Sequence, residues 1–562
     1  MGIAGLARRL DPHASHYSPD HLSGFVAVVD GPSLAYHAHK LALAAQAAAN
    51  PNVSRMSSYM DIIQQALRWL RSLDAINIKV STILFDGALP KAKQYERAVR
   101  NDRYNAQVNG LRANFPSEAC PRPTSLGSTS YSFLAPALRE ALADSEYASL
   151  TFTVPGEADD WCAPYANKHP STVIFSDDTD LLLYEFPRDV RIISFRDSEL
   201  WPEPKFKGYY PARICQQLGL PSLGVYAYLL TNDPHKAELK LLEEAKCVDT
   251  ASEAYNDFIK RYTVTSDSID TFDIQWADAS LQRLDVRVSE VVHQCLNSVP
   301  APVAYLPFLV EDKHRSSAWN VGQDLRAVSY SLLAKNGTKV REHRRKAQRV
   351  TTQDVQMYES VELQATLQTY MDSIRSWIDW TTERQVPQTL VWPLYAVSML
   401  LPELKTPPFF TQLCRLLSAD FDNTWNFVHL TACLHAGLYS LRMLTQSATV
   451  WLTLNKDNTS RLLPLVTQLH TDLQSLGSIA ELFLVPGQAK KSIRDHDLVY
   501  ENFAEIYAAA KVEVPIEQKS AKRGKKQQRE AERKERRKRE GGTKTNDNAF
   551  DVLSFMNAAR KN

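Results

Sequence analysis

Short apolar runs in the first part of the chain each end at a carboxylate. The run Phe25 to Val29 is followed by Asp30, and an Ala- and Leu-rich helical pattern covers Ser33 to Ala48. The run Ile78 to Phe85 is followed by Asp86. Apolar runs of this length, rich in β-branched residues and alternating with helical periodicity, predict an α/β unit with a mostly parallel sheet.

A third run, Thr172 to Phe175, is typical of a buried parallel strand, and Asp177, Asp178 and Asp180 follow it. The run Ala148 to Val154 leads into Glu157, Asp159 and Asp160. Acids in such positions often cap the helix that follows, so each motif alone has a purely structural explanation. Closely spaced carboxylates also repel one another unless a cation lies between them, which makes a metal site the second explanation.

The acids that follow these apolar runs are expected to lie at a single site. Asp233 ends a further apolar segment, Val225 to Leu230. A parallel sheet brings the carboxyl ends of its strands to one edge, so we expect the acids to form one cluster. Such a cluster can hold two divalent ions for phosphodiester hydrolysis.

A basic segment, Pro90 to Arg103, follows Asp86 directly and has a helical pattern. Lys93, Arg97 and Arg100 are spaced to share one helix face. They form either a solvated surface or a contact to the scissile phosphate, and their position beside Asp86 favours the phosphate contact.

Beyond about residue 250 the pattern changes to long helices with Trp and Leu anchors, which are typical of a packed core. Ser360 to Thr382 and Thr424 to Leu452 are the clearest examples. The basic run Lys339 to Arg349 is either a loop that touches nucleic acid or a solvated connector, and we favour the connector.

Charge is unevenly distributed along the 562 residues, whose net charge is +1. Lys519 to Arg539 holds twelve Lys or Arg against three Glu, a net of about +9, and the later charges cancel, so residues 1–518 carry about −8. The tail has too few apolar residues to form a core and is predicted to be disordered. Its basic tract indicates nuclear import or phosphate contact, with a solubilising role as the alternative.

Seven scattered cysteines without a Cys-x-x-Cys pair argue against a zinc site and a disulfide framework. The N-terminus lacks a secretory apolar region, and the longest apolar run is too short to span a bilayer. We therefore expect no membrane association and a location in the nucleus, or in both nucleus and cytoplasm.

Successive motifs resemble those of the flap-endonuclease and XPG superfamily of structure-specific 5′ nucleases, which have a PIN-like α/β domain. They are Met1-Gly-Ile-Ala-Gly-Leu, Val-Val-Asp30-Gly, Phe-Asp86-Gly, Gly-Glu157-Ala-Asp159, Ser-Asp-Asp178-Thr-Asp180 and Leu-Leu-Thr-Asn-Asp233. The Glu-Ala-Asp form and the Asn-Asp-Pro-His sequence at Asp233 are most similar to the Asteroid branch. The resemblance covers about residues 1–240.

The resemblance implies a site for two Mg²⁺ or Mn²⁺ ions. Its seven ligands are expected at Asp30, Asp86, Glu157, Asp159, Asp178, Asp180 and Asp233. It also implies that Lys93 and Arg100 contact the substrate phosphate and that Gly2 lies near the active site. Pro234 and His235 replace the Tyr and the Gly-rich DNA-gripping motif that flap endonucleases carry after the last acid.

From these observations we predict a PIN-like nuclease domain over residues 1–245, an α-helical C-terminal region over 250–514 and a disordered basic tail over 515–562. The expected activity is a metal-dependent, structure-specific endonuclease in DNA repair, with DNA favoured over RNA. A catalytically silent scaffold in an RNA- or protein-binding assembly is the alternative. Phe550 and Leu553 lie in a terminal apolar peptide that suggests a protein partner.

Overall fold

The computed structural model describes residues 3, 5–49, 56–263, 281–334, 339–456, 460–488 and 500–516. The chain forms two compact units, of which the first comprises Met1–Thr406 and Phe410–Val512. The second comprises Pro407–Phe409 and Glu513–Asn562. The basic tract, Phe550, Leu553 and Gly2 lie outside the described residues, so the predictions about them stay predictions.

A seven-stranded sheet organises the first 210 residues, in the order β1-β7-β6-β5-β2-β3-β4. Strands β2 to β6 run parallel to their neighbours within this order, while β7 pairs antiparallel with β6 and with β1. The strands are β1 (Ser15–Tyr17), β2 (Val26–Asp30), β3 (Lys79–Phe85), β4 (Thr151–Thr153), β5 (Ser171–Phe175), β6 (Asp189–Glu199) and β7 (Lys205–Tyr209). The predicted mixed α/β fold with a mostly parallel sheet is confirmed.

Helices alternate with the strands over the first 260 residues. Those of the first 260 residues are α1 (Leu6–Leu10), α2 (Pro19–Leu22), α3 (Gly31–Ala49), α4 (Tyr59–Ala75), α5 (Gln94–Asn114), α6 (Leu134–Ala143), α7 (Ala158–Asn167), α8 (Pro211–Leu218), α9 (Leu223–Asn232), α10 (Glu238–Ala245) and α11 (Glu253–Ile259). Apolar side chains of α3, α4 and α6 pack on the sheet, including the fully buried Trp69. This packing fixes the strand ends that carry the acids.

The later helices are α12 (Val286–Leu296), α13 (Gln323–Leu333), α14 (Ser360–Glu383), α15 (Gln388–Leu400), α16 (Phe410–Leu417), α17 (Trp425–Leu454), α18 (Leu463–Leu473), α19 (Ile479–Leu482) and α20 (Phe503–Ala509). Helix α17 is buried along most of its length and packs against α13, α15 and α18. The predicted helical character of this part of the chain is therefore confirmed. It is interrupted by a three-stranded sheet in the order β10-β9-β8, formed by β8 (Val303–Tyr305), β9 (Lys339–Lys346) and β10 (Arg349–Gln356).

The basic run Lys339 to Arg349 is a strand and a turn, so the expectation of a loop or a connector was wrong. Its contact with nucleic acid stays a prediction. The run forms β9 and the turn to β10. Glu342, Arg344 and Arg345 are buried, whereas the other charged side chains of the run are exposed. Glu342 is fully buried and bonds Arg326 at 2.6 Å, while Arg345 bonds Glu311 at 2.7 Å. The partners lie 16 and 34 positions away in the chain, so local sequence gives no sign of them.

Contacts with the later half of the chain hold α5 along its length. The side-chain amide of Asn105 donates to the carbonyl oxygen of Gln348 at 2.8 Å. Arg112 pairs with Asp312 at 3.2 Å, and the indole of Trp425 donates to the Phe115 carbonyl at 3.1 Å. The basic helix that follows Asp86 is thus fixed by residues from the later half of the chain.

Candidate nuclease site

Asp30 lies at the carboxyl end of β2 and ties that strand to the end of β5. It is 5% exposed, and one of its oxygens accepts hydrogen bonds of 2.6 Å from the hydroxyls of both Ser33 and Ser176. The Ser176 hydroxyl also accepts from the backbone amide of Asp178. Burial raises the pKa of Asp30 to about 6, despite these hydrogen bonds.

Asp86 follows β3, and it holds the first turn of α7 against the strand. Its carboxylate accepts a hydrogen bond of 2.9 Å from the backbone amide of Ala158. The next residue must be glycine, because a Cβ at Gly87 would lie 2.0 Å from the carbonyl oxygen of Val154. Burial raises the pKa of Asp86 to about 6, and the charge of Asp159 adds to the effect.

Three acids converge at the start of α7. Glu157, Asp159 and Asp160 each place an oxygen within 4.8 Å of the others. Burial, followed by the charge of Asp159, raises the pKa of Glu157 to about 8 and that of Asp160 to about 6. The hydroxyl of Tyr184 donates to Asp160 at 2.5 Å. Asp160 was left out of the predicted ligands, although its place on the same helical turn was visible in the sequence.

The acids after β5 face two directions. Asp178 begins a 3₁₀ turn by accepting from the backbone amide of Asp180 at 3.1 Å, and Asp180 accepts from the backbone amide of Ile3 at 2.9 Å. Burial raises the pKa of Asp178 to about 6 and, with the charge of Asp178, that of Asp180 to about 7. Asp177 instead accepts from the backbone amide of Phe195.

Asp233 differs in its surroundings from the other six predicted ligands. It follows helix α9 rather than a strand, it is exposed, and its carboxylate accepts from the backbone amide of His235 at 3.2 Å. Its neighbours Asn232 and Pro234 line the cleft described next. Arg9 holds this segment by donating to the carbonyl oxygens of Pro234 and Lys236.

A cleft of about 820 Å³ opens onto these acids. Glu157, Asp178 and Asp180 line it together with Lys93 and Arg100. The ammonium of Lys93 pairs with Glu157 and lies 3.5 Å from Asp159. Burial opposes its charge, but Asp159 and Glu157 outweigh burial and raise the pKa of Lys93 well above its usual value.

Arg97 does not share the cleft with Lys93 and Arg100, contrary to the expectation that all three use one face. It is 7% exposed and lies 3.3 Å from Glu290 of α12. Its partner comes 193 positions later, so the helical spacing alone could not reveal this pairing.

The donor set fits a divalent cation. Six of the clustered acids have a raised pKa, because they are buried and because they repel one another. A bound cation would remove the repulsion, and carboxylate oxygens are the ligands that Mg²⁺ and Mn²⁺ prefer. The assignment of individual ligands stays a prediction.

None of the helices in the described part of the chain has the length and apolarity of a membrane span. A comparison with curated proteins finds no match.

Comparison with solved structures returns GEN1 and Rad2. Human GEN1 in complex with Holliday junction DNA is 17% identical to this chain, with a TM-score of 0.30. The match covers 49% of this chain and 65% of the GEN1 chain, which is just under two thirds of GEN1. The catalytic core of Rad2 is 15% identical over 49% of this chain and 84% of its own, with a TM-score of 0.25. Rad2 in complex with a DNA substrate is 15% identical over 48% and 85%, with a TM-score of 0.28.

A family model described as "XPG domain containing" matches residues 130–357. The match begins before β4 and ends just after β10, so it includes the later sheet. It also includes five of the seven predicted ligands, namely Glu157, Asp159, Asp178, Asp180 and Asp233. The chain is therefore similar to XPG-domain proteins over residues 130–357, and the acids of α7 and those after β5 lie within the matched segment.

Proposed function

We propose that the protein is a Mg²⁺- or Mn²⁺-dependent, structure-specific DNA endonuclease. The observation that carries the proposal is that acids from the ends of β2, β3 and β5 and from the start of α7 lie close enough for their charges to act on one another. Three of these acids line a cleft that also presents Lys93 and Arg100. A nuclease needs both features, because carboxylates hold the metal while cations attract the phosphate.

The chain's own residues would divide the work as follows. Asp30, Asp86, Glu157, Asp159, Asp178 and Asp180 would hold two ions, with Asp160 beside them and Asp233 at the rim. Bound divalent ions supply a nucleophilic water at neutral pH and neutralise charge on the departing oxygen. Arg100 would bind the phosphate next to the scissile bond, and Lys93 would exchange its carboxylate partners for that phosphate.

The test is cleavage of a substrate panel by the full chain. Flap, gapped, overhang and junction DNAs, each with an RNA counterpart, are incubated with Mg²⁺, Mn²⁺ or EDTA. We expect metal-dependent cutting of a branched DNA and a loss of at least about 100-fold in the Asp178→Asn, Asp180→Asn double variant. Asp177→Asn is the matched control, because its amide oxygen can still accept from Phe195. Unchanged cutting in the double variant would overturn the proposal.

One observation favours a catalytically silent scaffold as the second candidate. Lys93 already places a positive charge between Glu157 and Asp159, so part of the cluster is neutralised by the protein itself. Calorimetric titration with Mn²⁺ separates the two candidates. A nuclease should bind the ion in wild type and lose at least about tenfold in affinity in Asp86→Asn, whereas a scaffold should bind none.

We also propose a nuclear role in DNA repair and membership of the Asteroid branch. The basic tract Lys519 to Arg539 supports nuclear import, and the Glu-Ala-Asp form of the α7 motif supports the branch. Localisation of the full chain and of a variant with six of these basic residues changed to Gln tests the first point.

A further inference from the structure

A second, smaller pocket lies beside the acidic cleft and shares Arg100 with it. Its volume is about 90 Å³, and Arg97, Arg100 and Arg287 line it together with Tyr36, Tyr104 and Ser132. We call it the arginine pocket. Arg287 lies on α12, so the later half of the chain completes the pocket.

The arginine pocket carries an excess of positive charge. The buried carboxylate of Glu290 serves two of the guanidinium groups, Arg287 at 2.8 Å and Arg97 at 3.3 Å. No acidic side chain lines the pocket in the described part of the chain. The three guanidinium groups together with the Glu290 carboxylate give a net charge of +2.

The guanidinium of Arg100 has an unused donor. Its Nε is buried without a hydrogen-bond partner among the described residues. Buried donors normally have partners, so this nitrogen points to a ligand with acceptor oxygens. Guanidinium groups match phosphate oxygens in both charge and geometry.

Size limits what the pocket can take. Sites for drug-sized ligands have volumes of roughly 300 Å³ or more. The acidic cleft exceeds this volume, whereas the arginine pocket, at about 90 Å³, is much smaller. The pocket therefore suits a phosphate group rather than a nucleoside.

The arginine pocket adjoins the acidic cleft. Arg100 lines both cavities, and the charges of Arg287 and Asp86 act on each other. A phosphate in the pocket would thus belong to the same strand as one at the acids. We propose that the arginine pocket binds the terminal phosphate of a nucleic-acid strand whose backbone enters the acidic cleft. The proposal rests on the proposed function only in taking nucleic acid as the ligand.

The experiment measures binding without turnover. Short single-stranded DNAs carrying a 5′-phosphate, a 3′-phosphate or neither are titrated with the full chain in EDTA, by fluorescence anisotropy. We expect one phosphorylated form to bind about tenfold tighter than the unphosphorylated strand, as charge-assisted bidentate contacts imply. Equal affinity of all three strands for wild type would overturn the proposal without any variant.

Arg287→Gln should reduce the preference to about twofold or less, whereas exposed Arg213→Gln on α8 should retain it. Full preference in a folded Arg287→Gln protein would also overturn the proposal. If circular dichroism shows that this variant is unfolded, Arg287→Lys replaces it. Lys keeps the charge beside Glu290 but not the two-pronged geometry, so a weaker preference is expected and an unchanged one counts against the pocket.

The two proposals fail in different ways. If the protein cuts branched DNA but binds phosphorylated and unphosphorylated strands equally, only the proposal for the arginine pocket is contradicted. If the protein prefers a phosphorylated strand in EDTA but cuts no substrate with either metal, only the proposed nuclease activity is contradicted.

Discussion

The ammonium group of Lys93 forms an ion pair with the carboxylate of Glu157 at the start of α7. The pair joins the turn before α5 to the acids at the edge of the sheet, and Asp159 lies 3.5 Å from the same nitrogen. Lys93 would therefore compete with a bound metal ion for these two carboxylates, and it also lines the cleft.

Lys93→Met should separate metal binding from catalysis. Removal of the competing cation is expected to leave Mn²⁺ affinity unchanged or raise it, while cleavage falls by about 100-fold or more because a charge that stabilises the reacting phosphate is lost. Calorimetry and single-turnover cleavage measure the two quantities. Lys91→Met, at an exposed position in the same turn, is the control, and parallel losses of binding and cleavage would contradict the expectation.

Stability of the metal-free protein should fall as pH rises through the range in which Asp180 ionises. Burial and the charge of Asp178 raise the pKa of Asp180 to about 7 from its ordinary value of 3.8. The folded state therefore holds this proton more tightly than the unfolded state, so the stabilisation is complete below about pH 4 and is lost as pH rises through about 7.

Asp180→Asn should accordingly be more stable than wild type at pH 8 in EDTA, by about 1 kcal/mol or more, with no gain at pH 4. Urea unfolding at the two pH values provides the measurement. Exposed Glu203→Gln should change stability by less than about 0.5 kcal/mol at either pH. A variant no more stable than wild type at pH 8 would remove the electrostatic explanation.

Asp233 should matter less for the metal than Asp178. Asp233 is exposed and bonds a backbone amide, whereas Asp178 lines the cleft beside Asp180. We expect Asp178→Asn to weaken Mn²⁺ binding by about tenfold or more and Asp233→Asn by less than about threefold. Calorimetry in a single buffer compares the Mn²⁺ affinities of the two variants. A larger loss of affinity in Asp233→Asn would mean that the segment after α9 moves onto the cluster when metal binds.

Glu342→Gln should destabilise the protein strongly, because it leaves Arg326 charged in the interior. Both side chains are fully buried and bond at 2.6 Å. Breaking one side of such a pair costs about 3–5 kcal/mol. Asp354→Asn, which removes the partner of Lys339 in an exposed pair, should cost less than about 1 kcal/mol. Similar urea midpoints for the two variants would contradict the burial of β9.

Much of the fold was predictable because its signals are local. The strands before Asp30, Asp86 and Asp178 are continuous apolar runs, and a parallel sheet brings their ends together whatever the rest of the chain does. The placement of Arg97 and of the basic run in β9 was not predictable, since it depends on Glu290, Glu311 and Arg326. Those partners lie far away in the sequence, and only the folded chain pairs them.

The indole of Trp425 holds the carboxyl end of the basic helix α5 from a position 310 residues later in the chain. Substitutions around Trp425 should therefore have the same effect as substitutions in the proposed nuclease site. A loss-of-function allele that maps to the helical half would then report a misplaced α5, and it would not by itself identify a binding partner for that half.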